Sequence, residues 1–392
     1  MDDDVFSALM TPQARQDPYP TYRGYQAEKP VLNTGNGLWF LFGYADSLAM
    51  LRDRRVSVDG SNALNGGPPD ELPTLIHLDP PAHTRLRRLV QMAFTPRRID
   101  AIRTRAEELV VATLERFDQR DEIDIVAELA YPMPLTIICD LLGVGCADRD
   151  LVRNWSAWLA RSIDPAVLRS DEENTHIALA QKEFSEYVAA LIVHRRKCPG
   201  DDLLSQLVAA EMEGDRLNET ELIGLAVLLL VAGHETTVSL IGNGLLALLR
   251  NPAAFDHLRN TPGSERAVVE ELLRYDSPVQ MTSRVALEPI DLPTATIPTG
   301  HVAVLLLGAA NHDPLVFNRP DELSVDAGGR VANLAFGSGI HHCLGAALAR
   351  AEGEVAIAGL VRRFPRMQLA SEPMVRSTFV LRGREELRIR LS

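Results

Sequence analysis

Residues 219–250 constrain the fold more than any other stretch of the chain. Asn218 followed three residues later by Glu221 forms a capping-box start, and Asn251-Pro252 supplies a stop. About 32 residues lie between them, roughly 48 Å at the helical rise of 1.5 Å per residue. Leu222 to Gly233 is almost wholly apolar, so this helix is expected to cross the core rather than lie on the surface. Its centre then turns polar, Gly233-His234-Glu235-Thr236-Thr237. A buried glutamate beside hydroxyl groups is costly unless partnered. Any fold for this chain must wrap a core around the helix and find a use for its polar middle.

The remaining pattern is mostly helical. Apolar residues recur at spacings of three and four over 83–94, 97–117, 148–161, 173–197, 264–275 and 343–364. Val31-Leu32-Asn33-Thr34 and Leu38-Trp39-Phe40-Leu41-Phe42 flank Gly35-Asn36-Gly37, a β-hairpin signal. Short strands are expected again around 284–288, 302–307 and 378–390. The fold class is therefore mainly α with small β-sheets. Length alone suggests two or three domains. There is no internal repeat or low-complexity linker, however, and Asn65-Gly66-Gly67-Pro68-Pro69-Asp70 reads as a surface loop. Residues 1–392 are expected to form one domain.

A net charge of −13 and 5% aromatic residues argue against a nucleic-acid binder, which needs clustered cations and stacking rings. Cys139, Cys146, Cys198 and Cys343 are too few and too scattered for a disulfide framework, so a reducing compartment is expected. The start, Met1-Asp2-Asp3-Asp4, lacks the basic and apolar regions of a signal peptide, and no uninterrupted apolar run of membrane length is evident. The expectation is a cytoplasmic, unanchored monomer that handles a small molecule.

Residues 336–352 carry the chemistry: Phe336-Gly337-Ser338-Gly339-Ile340-His341-His342-Cys343-Leu344-Gly345, running on to Arg350 and Glu352. The glycines permit a tight loop whose backbone N–H groups can approach a sulfur. Cys343 at the head of a helix would be favoured as thiolate. Gly345 leaves room for a flat ligand. A dinucleotide turn is a poor match, because His342 stands where a third glycine belongs. Zinc is also a poor match, since adjacent residues rarely converge on one tetrahedral ion.

Phe336, Gly337, Gly339, His341, Cys343, Gly345 and Arg350 match the haem-binding loop of the cytochrome P450 superfamily, and the chain resembles its soluble bacterial, actinobacterial-like members. The resemblance extends to Ala232-Gly233-His234-Glu235-Thr236-Thr237, similar to the family's oxygen-binding segment, and to Glu271-Leu272-Leu273-Arg274. It includes His83 and Arg87, one turn apart after Asp79-Pro80-Pro81, and the Ala310-Asn311-His312-Asp313-Pro314 turn. It departs at Leu323, where an aromatic residue is usual.

The resemblance implies the family's fold, a long central helix over a buried haem b. It implies Cys343 as axial ligand of the iron, in the thiolate ligation that favours O–O cleavage. Ala232, Gly233 and Gly345 would lie against the haem, and His83, Arg87, Arg284 and His341 would hold its propionates by charge-assisted hydrogen bonds. Thr236 and Glu235 would manage protons during oxygen activation. Residues alone leave open that Thr236 bonds back to its own helix. Leu229, Val279, Met281 and Phe379, with 60–78 and 155–185, would line a pocket for a hydrophobic substrate.

The implied reaction is hydroxylation or epoxidation of a natural-product intermediate, with electrons from a ferredoxin and a ferredoxin reductase. Arginines between His83 and Ile99, Arg88 and Arg97 among them, would dock the ferredoxin. Rival readings are a same-fold oxidase performing coupling or ring closure, and a catalytically silent partner-protein activator.

Overall fold

The computed structural model describes residues 5–67, 74–92, 94–212, 215–325 and 331–391. Met1–Asp4, Pro68–Asp70 of the Gly/Pro-rich loop and part of the 60–78 segment fall outside them.

The expected helix runs Glu219–Arg250, and both halves of the Asn218/Glu221 capping box form. By length and apolarity this helix could cross a membrane, contrary to the sequence reading, but most of it is buried inside the protein. It packs against the helices Pro132–Leu142, Asp171–Lys197, Glu265–Tyr275 and Ala346–Arg363. Close approach explains Gly244: a Cβ there would sit 3.0 Å from both Leu272 Cδ1 and Ile357 Cδ1. The large core cluster, from Leu75 to Leu391, is built around this helix. At roughly 25 cal/mol per Å² of apolar surface, its burial is the main favourable term of folding.

The hairpin forms as Val31–Asn33 paired with Leu38–Leu41. Leu38–Leu41 also pairs in parallel with Val302–Leu305, which pairs antiparallel with Thr282–Ala286. Val56–Ser57 completes a five-stranded sheet beside the helical body. Its faces are filled by two smaller core clusters, one around Met50 and Leu305, the other around Phe40 and Phe42. The expected strand at 378–390 divides into Arg384–Glu386 and Arg388–Arg390, which belong to different small sheets. Helices absent from the sequence reading include Tyr19–Glu28, Tyr44–Arg52, Pro132–Leu142, Leu203–Ala209 and Pro252–Asn260.

Glu271 and Arg274 form the core pair expected of residues three apart on one helix. Arg274 Nε and Nη2 donate to Glu271 Oε2 and Oε1 at 2.8 and 2.7 Å. Its remaining donors reach the carbonyls of Asn311 (3.0 Å), Pro320 (2.8 Å) and Glu322 (2.9 Å). The pair therefore ties a helix to the loop that leads to the cysteine segment.

Candidate active site

Local hydrogen bonds fix the cysteine segment. Gly337 N–H donates to Leu334 O at 2.9 Å and Cys343 N–H to Phe336 O at 3.0 Å. Gly339 has φ +72, and an added Cβ would come within 2.3 Å of Leu51 O, so both conformation and space demand glycine. The Arg350 guanidinium lies 4.5 Å above the Phe336 ring and pairs with Glu270. The helix itself begins at Ala346 with Gly345 as N-cap, three residues later than the sequence reading placed it.

That shift corrects the expected helix start and leaves Cys343 in the loop just before it. Burial raises the Cys343 thiol pKa, opposed by the Gly345 N–H and the charges of Arg87 and Arg350. Cys343 presents accessible surface although protein surrounds it densely, as a side chain facing an internal space does. An added Cβ on Gly345 would meet no protein atom within 4 Å.

Next to the cysteine segment lies a cluster of nitrogen donors, the imidazoles of His83 and His341 and the guanidiniums of Arg87 and Arg284. His83 is 2% exposed, and neither ring nitrogen has a hydrogen-bond partner among the described residues. Its ring centroid is 4.1 Å from that of His341. Burial lowers the His83 pKa, reinforced by Arg87 and opposed by Asp79. His341 is pushed down to about 3, by burial and then by His83, Arg284, Arg87 and His77. Arg284 is brought down to about 10 by burial, with Asp79 opposing. Its acceptors are local, Ser283 O at 2.6 Å and Thr282 Oγ1 at 3.2 Å. Asp79 is engaged by Ser57 Oγ and the Val58 N–H. Arg87 donates to His342 O at 2.7 Å. Buried, mutually repelling donors of this kind fit the two carboxylates of a haem.

On the central helix, Ala232 is exposed although its neighbours Val231 and His234 are buried, consistent with a second wall of an internal space. Thr236 Oγ1 donates to Ala232 O at 2.7 Å, and Thr237 Oγ1 to Gly233 O at 3.3 Å. The helix is unbroken through this point, so the back-bonding form holds here rather than an opened ladder. Glu235, 2% exposed, forms an ion pair with Arg376. Sequence reasoning missed Arg376. It stands 141 positions away in Met374–Val375-Arg376, a stretch without a motif.

The proposed pocket residues separate. Leu229 and Val279 are partly exposed. Met281 is 5% exposed and packs in the cluster with Phe40 and Phe42. Phe379 packs against the same cluster, its ring 5.5 Å from Phe6. Asp164, also missed, accepts from the N–H groups of Phe379 (2.9 Å) and Val380 (2.8 Å). It lies between the helices Arg149–Arg161 and Asp171–Lys197 and is paired with Arg161.

The basic window 83–99 lacks acids in sequence but gains them from elsewhere. Arg85 pairs with Glu221, and Arg98 lies 3.9 Å from Asp201. Its net positive field is smaller than the sequence suggested.

Removing the cationic cluster should loosen the cofactor. Hydrogen bonds to charged groups contribute about 1.5–3 kcal/mol each. Arg284→Leu should therefore release haem to apomyoglobin on the order of ten to a hundred times faster than wild type. An unchanged transfer rate would assign Arg284 to the sheet alone.

The description "Cytochrome P450" belongs to the family model that matches residues 69–261 and 266–384. A vitamin D(3) 25-hydroxylase from Pseudonocardia autotrophica is 40% identical over 94% of this chain and 92% of its own length. The polyketide biosynthesis cytochrome P450 PksS of Bacillus subtilis is 38% identical over 90% of this chain and 89% of its own. The ligand-free crystal structure of CYP164A2 from Mycobacterium smegmatis superposes with a TM-score of 0.91 at 38% identity, covering 98% of this chain and 99% of that one.

Proposed function

The chain belongs to the cytochrome P450 family, whose members bind haem iron through a cysteine thiolate, and from that premise we propose a monooxygenase that hydroxylates or epoxidises a hydrophobic natural-product intermediate. The observation that carries this reading is the cluster of His83, Arg87, Arg284 and His341 beside Cys343, a donor set suited to a dicarboxylate macrocycle with a thiolate ligand. Haem b, when bound, supplies the iron centre at which dioxygen is reduced and cleaved.

The chain's own residues bind, orient and move protons. Cys343 is the ligand, and Arg87, Arg284, His83 and His341 receive the carboxylates. Ala232 and Gly345 leave room for the flat ring, whereas a Cβ on Gly233 would meet the Ile138 side chain at 3.1 Å, so that glycine serves helix packing. Thr236 Oγ releases its bond to Ala232 O and donates toward dioxygen, and Glu235 replaces that proton. The balance is RH + O2 + 2 e⁻ + 2 H⁺ → ROH + H2O. The electrons come from a ferredoxin and its reductase, and Arg88 and Arg97 are the proposed contacts for the ferredoxin. Residues 1–392 work as one cytoplasmic, monomeric unit. Partly exposed Leu229 and Val279 suit an apolar substrate, as does the relative named for vitamin D(3) hydroxylation.

Turnover under 18O2 with ferredoxin, reductase and an apolar substrate tests the reading. One 18O atom in the product supports it, whereas an unlabelled product lighter by two hydrogens identifies an oxidase. Thr236→Ala should divert about tenfold more reducing equivalents to hydrogen peroxide, within the usual range for a lost proton donor.

A further inference from the structure

Glu235 lies deep in the protein, and each proton it gives up must be replaced from outside. One of its oxygens is committed to Arg376. The other, Oε1, is 3.6 Å from His234 Nε2, a buried ring nitrogen without a hydrogen-bond partner. The opposite ring nitrogen, Nδ1, is 3.0 Å from Ser156 Oγ on the helix Arg149–Arg161. His234 and Ser156 are both wholly buried. The Tyr131 hydroxyl also faces Ser156, and the Tyr131 ring packs edge-on to His234 at 4.6 Å. Tyr131 is only half-buried; its hydroxyl is 3.4 Å from Arg153 O, and the exposed Arg153 guanidinium lies 5.0 Å from its ring.

We propose that Tyr131, Ser156 and His234 form a line that carries protons from the protein surface to Glu235; the inference rests on Glu235 acting as the proton source described above. A packing role alone explains the residues poorly. A buried polar nitrogen left unsatisfied costs about 1–3 kcal/mol, which a phenylalanine or leucine under Tyr131 would avoid. Burial lowers the His234 pKa, with Arg376 and Arg153 acting the same way and Glu235 and the Leu230 carbonyl opposing. A neutral imidazole accepts at one nitrogen and donates from the other, as a relay requires.

The steps balance without electrons or covalent intermediates. Glu235 Oε1 takes a proton from His234 Nε2, and His234 Nδ1 takes one from Ser156 Oγ. Ser156 takes one from Tyr131 Oη, and Tyr131 takes one from bulk water. One proton enters for each delivered, and hydroxyl rotation with exchange of the ring proton between its nitrogens resets the line. Rotation of the Glu235 carboxyl away from Arg376 closes the 3.6 Å gap.

Ser156→Ala and Tyr131→Phe each delete one hydroxyl while keeping the packing, and the reduced carbon monoxide spectrum verifies an intact holoenzyme. The first readout needs no turnover: exchange of the His234 ring N–H with solvent, followed by 15N NMR on the ferrous carbon monoxide protein. It should be about tenfold slower or more in both variants. The second readout is the share of electrons lost to hydrogen peroxide and its solvent isotope effect. Both should rise in both variants, in the direction of Glu235→Gln. If ring exchange and peroxide share stay at wild-type values in both while Glu235→Gln raises the peroxide share, the line is wrong and Glu235 keeps its role. If Glu235→Gln is also silent, both proposals fall.

Discussion

Cys343→Ala protein folds, yet its reduced carbon monoxide spectrum lacks the strongly red-shifted Soret band of thiolate-ligated haem. Turnover falls with it, on the order of a thousandfold or more, equivalent to at least about 4 kcal/mol of barrier. The fold survives because the loop does not depend on the side chain. The Cys343 N–H still donates to Phe336 O, Gly337 still bonds Leu334, and Arg350 still covers Phe336. The cation cluster around His83 and Arg284 is also untouched, so haem can still enter with its carboxylates held. What disappears is the sulfur just before the Gly345 N-cap; Cys139 is buried, and Cys146 and Cys198 lie beside the helices Arg149–Arg161 and Asp171–Lys197. A mutant that kept the shifted band would remove Cys343 from the site altogether.

The second large effect falls on stability. Arg274→Ala should cost about 3–5 kcal/mol, the range for removing one partner of a buried ion pair. Arg274 satisfies both oxygens of Glu271 and three backbone carbonyls, and its guanidinium lies 5.5 Å from the Phe317 ring. Without it those acceptors lose a shared donor, and among the described residues Ser324 N–H still reaches Glu271. Arg274→Lys keeps the charge but not the fork, so it should recover only part of the loss. Denaturant unfolding with haem absorbance as a second probe reads both. A loss under about 1 kcal/mol would make the pair an ordinary surface contact.

The sequence marks some features well because they are written locally. The central helix begins at Glu219 and ends at Arg250 because its cap and its stop are adjacent residues whose chemistry acts within one turn. The Glu271–Arg274 pair and the hairpin around Gly35-Asn36-Gly37 are legible for the same reason. The cysteine helix begins late because loop hydrogen bonds hold residues 337–343 in tight turns, with a short helical turn at Gly339–His341, before the Gly345 N-cap. Periodicity cannot register that competition. Arg376 was invisible because its partnership with Glu235 depends on a C-terminal hairpin folding back over the central helix. Met281 is ambiguous for a different reason. An apolar residue reads alike in sequence whether it faces a pocket or a core, and here the aromatic cluster claimed it. The back-bonding of Thr236 was one of two readings the residues allowed, and local geometry selected it.

Asp164 grips the turn at Phe379 and Val380 through main-chain N–H groups, which are the same whatever side chains those positions carry. The turn's course is thereby separated from its lettering. Selection, or a mutagenesis library, can redraw the apolar contour at 379 and 380 without forfeiting the anchor. A change at Asp164 would instead release the turn in every such variant at once.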